Sequence, residues 1–126
     1  MTHLLLDTNA FLWHFWGSER IDTVKQLIES KDAEVFISAV SWWEIAIKVR
    51  SGKLTIDLEQ LRSCAEEYAF DELPISGKYM KAYYELPALH KDPFDHMLLA
   101  QAITHPMRLI TGDSFLAEYS SLVMVI

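Results

Sequence analysis

Short, nearly continuous apolar runs recur along this chain and are separated by longer segments of mixed polarity. Runs of this kind, without alternation, are typical of parallel strands that are covered on both faces. We predict strands at residues 3–6, 34–37, 108–110 and 122–126, with a fifth at 71–75. We expect these strands to pair in one sheet.

The segments between the strands carry apolar residues at intervals of three and four, which is the period of a helix with one buried face. This pattern predicts helices at 21–28, 42–49, 58–68, 79–86 and 94–104, and a shorter one at 114–119. Strands that alternate with helices indicate an α/β fold with a mainly parallel sheet and right-handed crossovers.

Length and composition indicate a single domain over residues 1–126, since 126 residues can bury a core without crosslinks. Cys64 is the one cysteine, which excludes an internal disulfide framework and a cysteine-rich zinc site. The apolar run that ends at Asp7 is too short for a signal peptide, and no later run reaches the ~20 residues of a membrane span. We therefore expect a cytoplasmic protein without membrane contact.

The net charge of −7, from 18 acidic and 11 basic residues, argues against a passive nucleic-acid binder, which would carry a basic surface. The same charge is compatible with an enzyme that acts on phosphates if bound metal ions neutralise part of it. Two divalent cations would bring the formal total to roughly −3.

Four acidic residues occupy equivalent places in the predicted elements. Asp7 directly follows a predicted strand and Asp113 lies just beyond another, whereas Glu44 and Asp95 lie in the predicted first turns of helices. In a parallel α/β sheet the strand C-termini and the helix N-termini face the same edge, which carries the ligand crevice. We therefore expect the four carboxylates to converge.

Each acid also has an explanation as a helix cap. Ser41-x-x-Glu44 fits a capping box, and Asp7 and Asp113 could each cap a following helix. Asp92-Pro93-x-Asp95 fits a cap, a proline at the first helical position and an acid in the first turn, so we assign Asp92 to capping. Capping does not explain why four such acids coincide at strand ends.

Four clustered carboxylates would repel one another, so they need raised pKa values or bound cations. Oxygen ligands favour Mg²⁺ or Mn²⁺, whereas zinc prefers histidine and cysteine, and the five histidines lack zinc-site spacing. Such sites are typical of phosphoryl transfer, in which the ions activate water and stabilise charge on the phosphate. Hydrolysis of a phosphodiester is the reaction class that fits.

Four motifs resemble the PIN-domain family, in particular the VapC-type toxins of bacterial toxin–antitoxin pairs. They are "LLLDTNAFLW", "SAVSWWEIAIKVRSGKL", "LHKDPFDHMLLAQA" and "LITGDSFL", and they follow one another in the family's order. The resemblance implies a three-layer α/β/α sandwich and a Mg²⁺- or Mn²⁺-dependent endoribonuclease. It further implies a cognate VapB-like antitoxin and a homodimer.

The resemblance also assigns roles to residues. The family's acidic quartet falls on Asp7, Glu44, Asp95 and Asp113. Asn9 and Thr111 match polar positions that orient carboxylates or water. Close members often carry arginine directly after "DPFD", where this chain has His96, a candidate substrate contact whose charge depends on pH.

Further residues have two interpretations each. Lys48, one helical turn after Glu44, can reach an RNA phosphate or form an ion pair with Glu44. His90 and Lys91 could touch phosphate or be merely exposed. The aromatic residues, 12% of the chain, fit core packing and a protein interface better than stacking on RNA bases.

Two rival functions are open at this point. "LLLDTN" is similar to the start of a haloacid-dehalogenase-like phosphatase, but that class needs a second acid two residues after Asp7, where Asn9 stands. The other rival is a catalytically inert module that binds metal or a partner protein and has kept the fold.

Overall fold

The computed structural model describes residues 1–88 and 91–126. Five strands run through it: β1 (Thr2–Leu6), β2 (Ala33–Ser38), β3 (Asp71–Leu73), β4 (Arg108–Thr111) and β5 (Val123–Val125). They form one sheet in the order β3-β2-β1-β4-β5, and every neighbouring pair is parallel. The predicted α/β class with a parallel sheet is confirmed.

The described residues contain six α-helices: α1 (Thr8–Trp16), α2 (Lys25–Glu29), α3 (Ala39–Arg50), α4 (Leu58–Glu67), α5 (Met80–Glu85) and α6 (Pro93–Thr104). Three 3₁₀ segments, Glu19–Val24, Gly77–Tyr79 and Ser114–Glu118, complete the helical structure of the described ranges. No helix in these ranges has the length and apolar character required to cross a membrane.

Side chains of the central strands alternate between two apolar clusters, one on each face of the sheet. Leu4 and Leu6 of β1 belong to the cluster packed by α1, α3 and α4, whereas Leu5 belongs to the cluster packed by α6. Ile110 and Leu109 of β4 divide in the same way. Because successive strand residues point to opposite faces, both faces of the sheet are covered by helices, as in the expected three-layer sandwich.

Several predicted boundaries differ from the structure. The predicted helix at 21–28 is a 3₁₀ segment followed by the short α2, and the helix at 79–86 is a 3₁₀ turn followed by α5. The predicted helix at 114–119 is entirely 3₁₀. The predicted strand at 71–75 ends at Leu73, because Pro74 has no N–H for the sheet. The helix at 8–16 was anticipated only as an element that Asp7 could cap.

The strand order positions the site. The chain leaves β1 toward β2 and β3 on one side and returns to β4 on the other side. Such a reversal of strand order opens a crevice at the C-terminal ends of the two central strands. Asp7 follows β1 and Asp113 lies two residues beyond β4, so both flank this crevice.

Candidate active site

A polar cavity of about 260 Å³ opens at the C-terminal edge of the sheet. It is lined by all four acids that the sequence singles out and by three further polar residues, together with the helix cap Asp92: Asp7, Thr8, Asn9, Glu44, Lys48, Asp92, Asp95 and Asp113. Residues separated by up to about a hundred positions thus share one space, as the strand-end argument predicts.

Asp7 is buried and is held by two hydrogen bonds to the backbone of its neighbours. Its backbone N–H donates to the carbonyl of Ile110 at 3.0 Å, which extends the pairing of β1 with β4 to the acid itself. Its Oδ1 accepts from the N–H of Ala10 at 2.8 Å, so Asp7 caps α1 as well as lining the cavity. Only 6% of the residue is exposed. The capping and functional interpretations of Asp7 are therefore compatible.

Thr111 connects two of the acids. Its hydroxyl hydrogen-bonds the Asp7 carboxylate, and its Oγ1 accepts from the N–H of Asp113 at 3.0 Å. Asp113 in turn caps the short 3₁₀ segment, since its Oδ1 accepts from the N–H of Phe115 at 3.0 Å. The fully buried Thr111 thus lies where the resemblance places a supporting polar residue.

Asp95 lies in the first turn of α6, as predicted, and Asp92 caps that helix through the N–H of Phe94 at 2.9 Å. Burial and, to a smaller extent, the negative charges of Asp92, Asp7, Glu44 and Asp113 together raise the pKa of Asp95 to about 7. Burial likewise raises the pKa of Asp7 to about 6, against the opposing hydrogen bonds from Thr111 and Ala10. The cavity therefore contains more negative charge than it stabilises on its own.

Glu44 does not lie where the sequence suggested. The predicted capping box between Ser41 and Glu44 is wrong, because α3 begins directly after β2 and is capped by Ser38, whose hydroxyl accepts from the N–H of Val40. Glu44 is consequently in the second turn, and its longer side chain reaches the cavity from there. Its two oxygens contact different partners: Oε1 lies 2.6 Å from the Thr8 hydroxyl, and Oε2 lies 3.1 Å from Nζ of Lys48.

Thr8 is the site residue that sequence reasoning missed. It is buried between Asp7 and Asn9, and its hydroxyl contacts both Glu44 and the hydroxyl of Ser41, at 3.0 Å. The only signal in the sequence was its place next to Asp7. A partner 36 residues away leaves no spacing pattern that could reveal the contact.

The other candidates divide into those inside and those outside the cavity. Lys48 and Asn9 line it, and Lys48 forms the i,i+4 ion pair with Glu44. His96 does not line it: its ring lies between Tyr83 and Tyr119, with Nε2 at 3.3 Å from the Tyr119 hydroxyl. Lys91 is exposed and is not part of the cavity lining, and His90 lies outside the described residues.

The sequence matches the PIN domain over residues 4–122. The chain belongs to the PIN domain family. The resemblance that its four motifs carry is therefore confirmed, and the acidic cavity is that of a PIN domain.

A sequence relative of this PIN domain is Ribonuclease VapC22 from Mycobacterium tuberculosis, which is 29% identical over 124 residues, with 94% of this chain and 93% of the relative covered. VapBC2 from Rickettsia felis, bound to a DNA fragment from its promoter, shares the fold with a TM-score of 0.74 at 17% identity, over 99% of this chain and 98% of that chain. A toxin–antitoxin complex from Klebsiella pneumoniae has a TM-score of 0.69 at 20% identity, over 97% and 96% of the two chains.

The donor set of this PIN domain fits a hard divalent cation, because every acidic group in the cavity offers carboxylate oxygen. Within residues 1–88 and 91–126, no three acidic, histidine or cysteine side chains approach closely enough to ligate one ion together. Mg²⁺ often binds through one or two carboxylates and keeps its remaining positions for water and substrate phosphate. An ion held by one or two of these carboxylates is compatible with this spacing.

Proposed function

We propose that this PIN domain is a Mg²⁺- or Mn²⁺-dependent endoribonuclease and the toxin of a VapBC-type toxin–antitoxin pair. The observation that carries the proposal is the single cavity into which Asp7, Glu44, Asp95 and Asp113 project from four separate parts of the chain. The VapC22 relative, named as a ribonuclease, supports the same reaction. As one domain over residues 1–126, the enzyme would act on RNA in the cytoplasm.

The charges of the cavity suit this reaction. Burial, together with repulsion between the carboxylates, raises the pKa of Asp7 to about 6 and that of Asp95 to about 7, and a bound cation would stabilise their ionised forms. When bound, a divalent ion supplies a water of lowered pKa and positive charge for the reacting phosphate. Asp7, Glu44, Asp95 and Asp113 would hold it, directly or through bound water.

The remaining polar residues would orient ligands and substrate. Thr111 fixes the Asp7 carboxylate and the start of the Asp113 turn at once. Asn9 is exposed at the cavity wall, where its amide can bind a water or a phosphate oxygen. Lys48 lines the cavity, where its ammonium group would contact a phosphate of the substrate. No side chain of the protein needs to become covalently attached to the substrate.

The test is cleavage of total tRNA and mRNA by purified protein, with Mn²⁺ and with EDTA. We expect cleavage that EDTA abolishes, and loss of cleavage in Asp7→Asn and in Asp95→Asn while the fold is retained. Asp32→Asn is the matched control, since this exposed aspartate lies before β2, outside the cavity lining. Full cleavage by either cavity variant refutes the assignment.

The PIN domain assignment gives no support to the phosphatase alternative, and Asn9 stands where that class needs an acid. An aspartyl-phosphate trapped on Asp7 would nevertheless establish that chemistry. For the inert-module alternative, the discriminating result is bound Mn²⁺ without cleavage of any RNA.

We further propose a cognate antitoxin and a homodimer. The structural neighbours named as VapBC and toxin–antitoxin complexes support the antitoxin. The dimer is supported by an apolar surface beside the active site, on which Trp43 is 60% and Met80 is 44% exposed. An apolar cavity of about 360 Å³ lies in this surface and is lined by Val40, Trp43, Ile75, Met80, Tyr83, Pro93, Phe94 and Met97. Exposed apolar patches of this kind are typical of protein interfaces.

Light scattering after size-exclusion chromatography tests the dimer. We expect twice the 14.6 kDa of one chain for the wild type and a monomer for Trp43→Lys. Co-expression with the small upstream reading frame, where the gene has one, tests the antitoxin through co-purification and suppression of cleavage. A wild-type monomer, or an upstream protein without effect, contradicts the respective proposal.

A further inference from the structure

Glu44 differs from Asp7 and Asp113 in how its carboxylate is held. Asp7 and Asp113 are each anchored by a backbone N–H of the helical turn that follows. Glu44 lies in the second turn of α3, where the backbone N–H groups already serve the helix. Its side chain also has one more rotatable bond than an aspartate, so it loses more conformational entropy when it is fixed. Glu44 therefore depends on side-chain partners.

Thr8 is the buried partner. It is 5% exposed, its hydroxyl lies 2.6 Å from Oε1 of Glu44, and it immediately follows Asp7. Because the carboxylate oxygen can only accept, the hydrogen of this contact comes from Thr8. The same strand end thus supplies one acid of the cavity and the group that holds another.

Ser41 gives the Thr8 hydroxyl its direction. The two hydroxyl oxygens are 3.0 Å apart, and Ser41 is fully buried one helical turn before Glu44. Since Thr8 has a single hydroxyl hydrogen and donates it to Glu44, the Ser41 hydroxyl supplies the hydrogen of the second contact. Lys48 contacts the other oxygen of Glu44, but its side chain is 41% exposed and can move.

We infer that Thr8, oriented by Ser41, is a positioning residue that holds the Glu44 carboxylate in the geometry required to bind the divalent cation. The inference rests on the proposed function, because it assigns Thr8 a task toward the ion of that same site. Groups that orient metal-binding side chains commonly change metal affinity by 10–100-fold when they are removed. Thr8→Val removes the hydroxyl at almost constant volume, whereas Thr8→Ser retains it.

The test is titration of the full-length protein with Mn²⁺ alone, followed by calorimetry and by electron paramagnetic resonance, with no RNA present. We expect Thr8→Val to weaken Mn²⁺ binding by roughly 10-fold or more, and Thr8→Ser to remain within about threefold of wild type. Ser41→Ala should have a smaller effect than Thr8→Val, because Thr8 can still donate. In a Glu44→Ala background, Thr8→Val should cause no further loss.

Three outcomes decide the matter. If the wild type fails to bind Mn²⁺, the proposed metal-dependent function falls and the inference falls with it. If the wild type binds Mn²⁺ and Thr8→Val binds it equally well, the inference alone is overturned. An equal loss in Thr8→Ser and Thr8→Val also overturns it, because a retained hydroxyl must then be irrelevant. Thermal melting confirms folding, and Thr8→Ala replaces Thr8→Val in the same titration if the valine variant aggregates.

Discussion

Nζ of Lys48 lies 3.1 Å from Oε2 of Glu44, one turn earlier on the same helix. Among the described residues that line the acidic cavity, Lys48 is the one with a positively charged side chain. The ion pair with Glu44 is thus present, whereas a contact of Lys48 with a substrate phosphate stays a prediction that its place in the cavity lining supports.

Lys48→Met is expected to weaken RNA binding while leaving the fold intact. RNA affinity, measured in an Asp95→Asn background to prevent cleavage, should depend less steeply on salt, with the slope of log K against log salt reduced by about 0.7 for one lost phosphate contact. Arg50→Met is the matched control, since Arg50 lies on the same helix but outside the cavity lining. Equal slopes for wild type and Lys48→Met would remove Lys48 from the substrate path.

Asp95→Asn is expected to raise the melting temperature of the metal-free protein at pH 8. The pKa of Asp95 is raised from 3.8 to about 7 in the folded state, so the native protein binds a proton more tightly than the unfolded chain does. Stability from this group is therefore greatest at low pH and is lost as the pH rises through about 7. Asparagine does not titrate and avoids that loss.

The measurement is the melting temperature of wild type and Asp95→Asn in EDTA between pH 5 and pH 8. The difference between the two proteins should grow by several degrees as the pH rises. Burial lowers the pKa values of His14 and His105, so these histidines reduce the stability of the folded protein in acid. This contribution is common to both proteins and cancels in the difference between their melting temperatures. A difference that does not change with pH would contradict the raised pKa.

Mn²⁺ is expected to stabilise the wild type against heat. Binding to the native state alone adds about 2.7 kcal/mol at an ion concentration one hundred times the dissociation constant. The gain should be lost on addition of EDTA and should be much smaller in Asp7→Asn, which removes one negative charge from the cavity. Asp32→Asn should gain as much thermal stability from Mn²⁺ as the wild type does. If Asp7→Asn and Asp32→Asn gain equally, the ion binds outside the acidic cavity.

Gly112→Ala is expected to destabilise the fold and to disturb the site. A Cβ atom at Gly112 would overlap the Trp13 ring, whose Cζ3 atom would be only 2.8 Å away. Overpacking of this kind typically costs about 1–3 kcal/mol. Gly112 also lies between Thr111 and Asp113, so a backbone shift displaces both.

Chemical denaturation and RNA cleavage check this prediction together. Gly77→Ala is the control, because a Cβ there would meet nothing within 4 Å. It should be neutral in stability and activity. Full stability of Gly112→Ala would show that the Trp13 ring moves aside at little cost.

The parts of the fold that follow from local pattern were predictable from the sequence. Apolar runs located the strands, and Asp92 and Pro93 located the start of α6. The apolar pattern predicts helix at the 3₁₀ segments Glu19–Val24 and Ser114–Glu118 but does not distinguish them from α-helix, because both helix types place apolar residues at intervals of about three. The start of α3 was misplaced, since β2 passes into the helix without a loop and Ser38 takes the cap that Ser41 was expected to provide.

The site residues that could be predicted are the acids that stand at a strand end or at a helix start. Asp7, Asp95 and Asp113 follow from strand ends and helix starts, whereas Thr8 and its contact with Glu44 depend on tertiary packing across 36 residues. His96 is adjacent to Asp95 in sequence, but its ring contacts the rings of Tyr83 and Tyr119 outside the cavity lining, so its contact with substrate stays a prediction.

The hydrogen bond from the N–H of Asp7 to the carbonyl of Ile110 makes the acid part of the central sheet rather than of a connecting loop. Thr111 and Asp113 continue from the same neighbouring strand. Insertions in a peripheral connection such as residues 51–57 would therefore leave the spacing of these acids unchanged. The peripheral connections of such a protein, and with them its choice of target, can therefore change during evolution while the acids keep their relative positions.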